Sequence, residues 1–370
     1  MRYFIIAGEA SGDLHASNLV YALKEKNPAA EFRGFGGDKM KEAGVTIVKH
    51  YREMAFMGFL EVVKHLNTIL KNIKYCKQDL ENYKPDAVIF VDYPGFNLRI
   101  VPFVKSLNIK TIYYISPQLW AWNSRRVKTI KQYVDKMLVI LPFEKEFYEK
   151  YKYPVDFVGH PLLDELSGTM KDPLFYKMYN LAKDPIIAIL PGSRKQEIIK
   201  NLPIMLSLVK HFPQFIFIVA CAPGIEKTFY YQFYNNTNVF YLFNQTYNIL
   251  LHSEAAVVTS GTATLETALL NVPQVVCYKG NFVSYFIAKQ LIKVKYISLV
   301  NLIMQKEVVP ELIQYTFAEH RLKAAFQRLV FNDDYRTQMR EDYATLKHKL
   351  GEEGASERAA AIISDFMIAY

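Results

Sequence analysis

The sequence contains little cysteine and no long apolar run. Its three cysteines lie far apart along 370 residues without paired spacing, which argues against a zinc cluster or a disulfide framework. The longest apolar runs, near residues 137–142 and 215–222, are less than half of the roughly 20 residues that a membrane-spanning helix needs. The apolar start at residues 3–6 meets Glu9 and Asp13 too early for a secretory signal. We therefore expect a soluble, cytoplasmic protein.

Three common catalytic motifs are also missing. No Asp-x-Asp is present, so the metal–carboxylate clamp of one large class of sugar-nucleotide enzymes has no candidate. The absence of Gly-x-x-x-x-Gly-Lys-Ser/Thr and of His-Glu-x-x-His argues against P-loop nucleotide hydrolysis and zinc peptidase chemistry. We expect no metal and no cofactor. Charge on a leaving group must then be balanced by helix dipoles and arginine.

The chain has an excess of positive charge and of aromatic side chains. Its 45 Lys and Arg against 36 Asp and Glu give a formal net charge of +9, and it carries 26 Tyr and 25 Phe. This balance predicts an anionic partner without saying whether that is nucleic acid, a phosphate ligand or a membrane. At about 150 residues a domain, the length predicts two domains.

Short apolar runs alternate with amphipathic helical patterns along most of the chain. This order predicts right-handed β–α–β crossovers and mostly parallel sheets, hence an α/β fold of two Rossmann-like units joined near residues 160–185. A polar helix is expected over Lys171–Pro185, and only helices after Ala318. The predicted strands are 3–7, 31–35, 87–91, 111–115, 136–141, 186–190, 214–220, 239–242, 255–259 and 274–277.

Ligands of parallel sheets bind beyond the carboxyl ends of the strands, where the segment Ala-Gly-Glu-Ala-Ser-Gly-Asp at 7–13 is expected. It follows the first strand and opens a helix, so backbone N–H groups and a helix dipole would face a ligand. Its Gly-x-x-x-Gly spacing is not the dinucleotide fingerprint. An ordinary glycine turn capped by Ser11 or Asp13 is an equal alternative.

Asp92 ends a hydrophobic strand and is followed by Tyr-Pro-Gly-Phe-Asn. A partly desolvated carboxylate there, with a raised pKa, could act as a general base toward a hydroxyl. The alternative is an aspartate that caps a turn. His15 and His160 are further candidates, although a lone histidine is more often structural.

Two turns of the second half suit a nucleoside diphosphate. Pro-Gly-Ser-Arg at 191–194 follows a strand, and its amides and Arg194 could hold a phosphate; a solvated basic turn is the alternative. Ser260, Gly261 and Thr262 also follow a strand and begin a helix, which lets a diphosphate approach the backbone. Glu266 lies one helical turn later and could accept hydrogen bonds from a ribose. The capping-box alternative fails because Ala263, three residues earlier, cannot cap.

Nine segments, in order from residue 3 to about residue 315, resemble the lipid-A-disaccharide synthase family. Two of them, Asp-Tyr-Pro-Gly-Phe-Asn at 92–97 and Ser-Pro-Gln-Leu-Trp-Ala-Trp at 116–122, are long enough to make coincidence unlikely. The others lie at 7–13, 34–38, 57–62, 159–161, 191–194, 260–266 and 310–314. The resemblance implies a GT-B type glycosyltransferase. Its expected parts are an acceptor-binding domain at 1–165, a UDP-sugar-binding domain at 166–345, and a last helix at 346–370 that packs back on the first domain.

The resemblance also implies the reaction. UDP-2,3-diacylglucosamine donates its sugar with inversion to the 6-hydroxyl of 2,3-diacylglucosamine 1-phosphate, which gives a β-1,6-linked disaccharide and UDP. Asp92 is the expected base, with Asp13 and Glu9 in reserve. Arg194 and residues 260–262 are expected to hold the diphosphate and Glu266 the ribose. By resemblance alone, Asn301, Glu311 and Gln314 line the donor site, although Val300 replaces the family's usual proline.

Lipid substrates would explain why the chain is rich in basic and aromatic residues. The expected acceptor and lipid contacts are Ser11, Met57, Phe59, Trp122, Arg125 and Arg126. Apolar residues near 54–60, beside a lysine-rich helix, are interpreted as a face that docks peripherally on the inner leaflet of the inner membrane. Burial of this segment in the core is the alternative. The family resemblance also makes a homodimer possible.

Other functions stay open on the sequence. UDP-N-acetylglucosamine 2-epimerases and the glycosyltransferase of peptidoglycan's lipid-linked disaccharide share the fold and the Ser-Gly-Thr helix. A non-enzymatic protein that binds anionic lipids would also fit the charge. Nucleic acid is not expected as a partner, because the basic residues are not arranged with an aromatic platform or a recognition helix.

Overall fold

The structure is a computed structural model that describes residues 1–54, 66–122, 124–182, 184–233, 237–280 and 294–369. Its packing divides the chain into two compact units. The first contains Met1–Glu165 and Leu350–Tyr370, and the second continues from Leu166 to Lys349. Within the described ranges, no helix combines the length and the apolar character that crossing a membrane requires.

A seven-stranded parallel sheet forms the centre of the first unit, in the order β3-β2-β1-β4-β5-β6-β7. Its strands are β1 Arg2–Ala7, β2 Glu31–Gly36, β3 Thr46–His50, β4 Ala87–Val91, β5 Lys110–Tyr114, β6 Lys136–Val139 and β7 Asp156–Phe157. The central strands are buried on both faces, as expected for parallel strands covered by helices. Phe4, Phe90 and Tyr113 contribute fully buried rings to this core.

Helices follow the strands of this unit. They are Ala10–Lys26, Asp38–Glu42, Leu66–Tyr83, Pro94–Ser106, Leu119–Trp122, Val127–Tyr133, Pro142–Glu149, Leu162–Leu166 and Ala355–Ile368. The last of these packs against Ala10–Lys26, and its small residues Ala359 and Ala360 are fully buried there. The predicted return of the C-terminal helix to the first domain is therefore confirmed.

The second unit repeats the architecture with a six-stranded parallel sheet in the order β10-β9-β8-β11-β12-β13. Its strands are β8 Ile186–Leu190, β9 Ile216–Cys221, β10 Val239–Phe243, β11 Ser253–Thr259, β12 Gln274–Tyr278 and β13 Glu311–Ile313. Its helices are Phe175–Met178, Lys195–Leu206, Lys227–Tyr230, Thr246–His252, Thr262–Leu269, Leu299–Met304, Glu319–Phe331 and Asp333–Lys349. Two Rossmann-like sheets thus confirm the predicted fold class.

The predicted helix over Lys171–Pro185 is wrong. In the described residues of this segment the helix is limited to Phe175–Met178, and Asn180 follows in the left-handed region with φ 48°. The left-handed backbone at Asn180 ends the helical turn, and Pro173 and Pro185 disfavour helical backbone at the residue before each of them, at the two ends of the segment.

Asp164 ties the C-terminal helix to the first unit. Its carboxylate accepts hydrogen bonds from the backbone N–H groups of Gly354 at 2.6 Å, Ala355 at 3.2 Å and Ser356 at 3.1 Å. These donors open the helix Ala355–Ile368 and would otherwise be unpaired, so the acid caps the helix from a distant part of the chain.

We predict that Asp164→Ala lowers the free energy of unfolding of the first unit by about 1–2 kcal/mol, because the cap is lost. The chain's two tryptophans, Trp120 and Trp122, both belong to this unit, so urea denaturation followed by tryptophan fluorescence reports on it. Asp365→Ala is the matched control, since Asp365 is exposed near the other end of the same helix. Equal midpoints for the two variants would contradict the prediction.

Candidate active site

Each unit carries a cluster of polar residues at the carboxyl edge of its own sheet. In the first unit the cluster forms after β1 and β4, which are neighbours in the sheet. In the second unit it forms after β8, β11 and β12, which are also neighbours.

The turn after β4 holds Asp92 in an unusual backbone conformation. Asp92 and Tyr93 both lie in the left-handed region, with φ values of 42° and 48°. The carbonyl oxygen of Asp92 accepts hydrogen bonds from the Tyr113 hydroxyl at 2.6 Å and from Asn97 Nδ2 at 2.7 Å. Such conformations cost about 1–3 kcal/mol each and persist only where the surroundings hold them. The two donors thus fix the position of Asp92.

The carboxyl group of Asp92 is suited to proton transfer near neutral pH. Its burial raises its pKa to about 7, the negative charge of Glu9 contributes in the same direction, and a hydrogen bond from the Tyr93 backbone opposes them. A group with this pKa can accept and release a proton at neutral pH.

Glu9 and Asp92 come together because β1 and β4 pair in register, Ala7 opposite Val91. Glu9 is half-buried at the N-cap position of the helix Ala10–Lys26, without a side-chain capping hydrogen bond. Two carboxylates near each other disfavour simultaneous ionisation, which is the electrostatic part of the raised pKa of Asp92.

Gly8 is required by the close approach of the Tyr93 ring. A Cβ at Gly8 would lie 2.2 Å from the ring, and the Tyr93 hydroxyl donates to the Met54 carbonyl at 2.7 Å. The glycine-rich turn at 7–13 therefore has a packing role next to Asp92.

Asp13 is buried and already engaged. Its carboxylate accepts hydrogen bonds from the backbone N–H groups of Gly37 at 2.6 Å, Lys39 at 3.0 Å and Met40 at 3.2 Å. It therefore caps the helix Asp38–Glu42 rather than its own helix. Of the three acids proposed as bases, Asp92 has the geometry that best fits the role.

The expected lipid contacts are only partly described. Met57 and Phe59, together with the side chain of Trp122, lie outside the described part of the structure. Ser11 is exposed in the first turn of the helix Ala10–Lys26. Arg125 is exposed and Arg126 half-buried in a 3-10 turn at 124–126. The charge of Arg126 acts on the buried Tyr113 hydroxyl, which places it near the Asp92 cluster.

Glu144 is a buried acid that the sequence analysis missed. Its carboxylate accepts hydrogen bonds from Trp120 Nε1 at 3.2 Å and from the backbone N–H groups of Ile140 at 3.3 Å and Leu141 at 3.0 Å. Burial raises its pKa to about 7. The Pro-Phe-Glu start of the helix Pro142–Glu149 was the signal for this cap.

Two histidines lie deep in the first unit. Burial lowers the pKa of His15 to about 4 and that of His160 to about 3, so both are neutral at physiological pH. His160 Nδ1 accepts a hydrogen bond from the backbone N–H of Leu162 at 3.2 Å. This contact favours the structural interpretation of His160.

In the second unit, the turn after β8 presents Arg194. Gly192 there has a φ of 112°, and a Cβ on it would lie 2.8 Å from Glu197 Oε2. Arg194 Nη1 pairs with Glu197 Oε1 at 2.8 Å, and the arginine side chain is 52% exposed. The guanidinium lies at the surface and can turn from Glu197 to an incoming phosphate.

The helix Thr262–Leu269 begins at the carboxyl end of β11. Gly261 and Thr262 are exposed, and a Cβ on Gly261 would meet no atom within 4 Å, so its backbone faces open space. Ser260 Oγ donates to the Ile297 carbonyl at 3.0 Å, which fixes the turn. Glu266 lies one turn along the helix, within 3.5 Å of the Tyr247 hydroxyl. This arrangement fits an anion with a hydroxyl-bearing group beside it.

Asn301 and Glu311 are used within the protein. The carboxylate of Glu311 accepts hydrogen bonds from the backbone N–H groups of Ile297 and Ser298 and from Asn301 Nδ2 at 2.9 Å. Asn301 Oδ1 accepts from the N–H groups of Val308 and Val309. These side chains hold the start of the helix Leu299–Met304. Val300, at the position of the family's proline, is fully buried in the first turn of this helix.

Comparisons with known proteins agree with these features. A family profile described as "Lipid-A-disaccharide synthetase" matches residues 3–364. A lipid-A-disaccharide synthase of Syntrophus aciditrophicus is 41% identical over 366 residues, which is 97% of this chain and 96% of the relative. Another, from Geobacter sulfurreducens, is 37% identical over 375 residues, which is 99% of this chain and 97% of the relative.

Solved structures share the fold at low sequence identity. A UDP-GlcNAc 2-epimerase from Neisseria meningitidis, bound to UDP-GlcNAc, has a TM-score of 0.68 and 14% identity, with 100% of both chains covered. The glycotransferase of kitacinnamycin has a TM-score of 0.66 and 13% identity, with 98% of both chains covered. These similarities confirm the GT-B type fold. Because the family profile and the relatives span nearly the whole chain, this chain belongs to the lipid-A-disaccharide synthase family.

Proposed function

We propose that Asp92 is the general base of an inverting glycosyl transfer, from UDP-2,3-diacylglucosamine to the 6-hydroxyl of 2,3-diacylglucosamine 1-phosphate. Family membership makes the chain a glycosyltransferase. The single observation that carries the residue assignment is Asp92 itself, whose backbone is held at the strand end by Tyr113 and whose buried carboxyl has a pKa raised to about 7. Inversion needs one base and one stabilised leaving group, and each unit offers one of these.

In the proposed mechanism, Asp92 takes the proton of the acceptor hydroxyl as its oxygen attacks the anomeric carbon. The bond between that carbon and the diphosphate oxygen breaks, and UDP leaves with the electron pair. Arg194 and the N–H groups at 261–262 balance the growing negative charge on the diphosphate. Glu266 accepts hydrogen bonds from the ribose hydroxyls. Burial, with the negative charge of Glu9 in addition, keeps the pKa of Asp92 high enough for it to act near neutral pH.

The first experiment measures UDP release from the two lipid substrates. We expect release by the wild type and a decrease of about 10²–10⁴-fold in Asp92→Asn, because an amide cannot accept the proton. Asp156→Asn, which removes an acid of β7 that pairs with Lys136 of β6, should behave as the wild type. No release by the wild type would refute the reaction. Near-normal turnover in Asp92→Asn would refute only the base.

The same assay has a pH dependence whose sign follows from the raised pKa of Asp92. The base must be ionised, so kcat/KM should rise with pH through about 7. Glu9→Gln removes the neighbouring negative charge and should move this rise to lower pH. A wild-type rise centred at the ordinary pKa of aspartate would contradict the assignment.

We also predict a positioning role for Tyr113. Tyr113→Phe removes the hydrogen bond to the Asp92 carbonyl while keeping the buried ring, and should lower kcat about 2- to 10-fold with KM unchanged. Tyr148→Phe is the matched control, since it loses a buried hydroxyl that contacts Ser116 instead. A lower melting temperature with unchanged kcat in Tyr113→Phe would show a structural role only.

We propose in addition that the protein docks on the inner membrane from the cytoplasm. Leu66 and Leu70 are 46% and 52% exposed on the helix Leu66–Tyr83, and Lys71 and Lys74 are exposed beside them. Apolar side chains can enter the leaflet while lysines meet anionic headgroups. We propose as well that the protein forms a homodimer, which the family resemblance allows.

Flotation with phosphatidylglycerol vesicles tests this face. Leu66→Ser combined with Leu70→Ser should reduce the bound fraction, and so should the pair Met57→Ser and Phe59→Ser, because apolar area is removed. Leu174→Ser, an exposed leucine of the second unit, is the control and should float like the wild type. Equal flotation of all variants would refute membrane docking by this segment.

A further inference from the structure

A cavity of about 670 Å³ lies in the second unit, beside the carboxyl ends of β12 and β13. Ile204, Phe317 and Ala318 give it apolar walls, and Lys200 and Lys279 add two ammonium groups. Glu319 also lines it, and its carboxylate is paired with Lys210 and His211. Its volume lies within the range of about 300–1,000 Å³ that is typical of small-molecule sites. The combination suits a ligand with an apolar body and an oxygen-rich, negatively charged end.

Gln314 lies on the wall of this cavity and is only 8% exposed. In the described part of the chain its Nε2 has no hydrogen-bond partner. Its backbone has a φ of 52°, in the left-handed region. A buried amide without an acceptor and a left-handed non-glycine residue are both unfavourable. Both features occur in one residue at a cavity wall. This indicates that an oxygen atom of a bound ligand accepts a hydrogen bond from Gln314 Nε2.

The cavity adjoins the residues proposed for the diphosphate in the same unit. The backbone N–H of Lys279 donates to Asn201 Oδ1 at 3.0 Å, and Asn201 Nδ2 lies 3.4 Å from Thr259 Oγ1. Thr259 directly precedes the Ser260 turn. Neither Lys200 nor Lys279 is paired with an acid among the described residues. A ligand held at the Ser260 turn can therefore extend to the cavity along the helix Lys195–Leu206.

We infer that the cavity binds one acyl chain of the donor lipid, with the acyl carbonyl accepting a hydrogen bond from Gln314 and the lysines near the diphosphate. This inference rests on the proposed function. Uracil and ribose would gain little from the apolar walls formed by Ile204, Phe317 and Ala318, whereas an acyl chain gains free energy from burial against them. The donor's acylation is thereby recognised within the nucleotide-binding unit.

Calorimetric titration of the full chain with UDP, UDP-N-acetylglucosamine and UDP-2,3-diacylglucosamine tests the inference. Ile204→Glu should weaken binding of the acylated donor about tenfold or more, because a charge is placed in the apolar wall. Affinity for UDP should stay within about twofold, since no nucleotide contact changes. Ile199→Glu is the matched control on the same helix, because Ile199 is 50% exposed and does not line the cavity.

UDP binding also reports whether each variant is folded. If Ile204→Glu fails to bind UDP, Ile204→Ser provides the milder change, and its expected loss again concerns the acylated donor alone. Unchanged affinity of a folded Ile204 variant for the acylated donor would overturn the inference. Loss of binding to phosphatidylglycerol vesicles, with donor affinity intact, would also overturn it and show a membrane contact.

The outcomes separate this inference from the proposed function. If the wild type releases UDP from the lipid substrates and the Ile204 variants bind the donor normally, only the acyl-chain site is wrong. If the wild type neither releases UDP nor prefers the acylated donor to UDP-N-acetylglucosamine, the proposed function is wrong and the inference with it.

Discussion

Parallel hydrogen bonding between neighbouring strands is the constraint on which both clusters depend. Parallel strands end at the same edge of a sheet, and the pairing of Ala7 with Val91 therefore brings Glu9 beside Asp92 although they are far apart in sequence. In the second unit the same constraint collects the turns that follow β8, β11 and β12. The strand pairing alone brings Glu9 and Asp92 together in the first unit. In the second unit it brings Arg194 close to the N-terminus of the helix Thr262–Leu269.

Much of this architecture could be predicted because the central strands are continuous apolar runs. The predicted strands at 87–91 and 186–190 agree with the observed ones residue for residue. The strands β3, β7 and β13 escaped prediction because they are short or only half-buried, so no apolar pattern marks them. The polar pattern of the segment 171–185 suggested a helix, but the left-handed backbone at Asn180 ends its helical turn.

In the candidate site, too, some features could be predicted from the sequence and others could not. The position of Asp92 at a strand end was visible in the sequence, because strand ends follow from hydrophobic patterning. The hydrogen bonds from Tyr113 and Asn97 were not, because they reach a backbone carbonyl and leave no local signature. Asp13 was a reserve candidate for the base and a possible cap of its own helix, yet three backbone N–H groups of another segment donate hydrogen bonds to its carboxylate.

The helix Ala355–Ile368 has a consequence for synthesis of the chain. It completes the first unit, yet it follows the whole of the second unit in sequence. During translation, the apolar face of Ala10–Lys26 that this helix covers stays uncovered after Glu165 has been made, until residues 166–354 have emerged at about 5–20 residues per second. Chaperones should therefore protect this face on nascent chains of this protein. They should do so for longer than on nascent chains of a protein whose domains are contiguous in sequence.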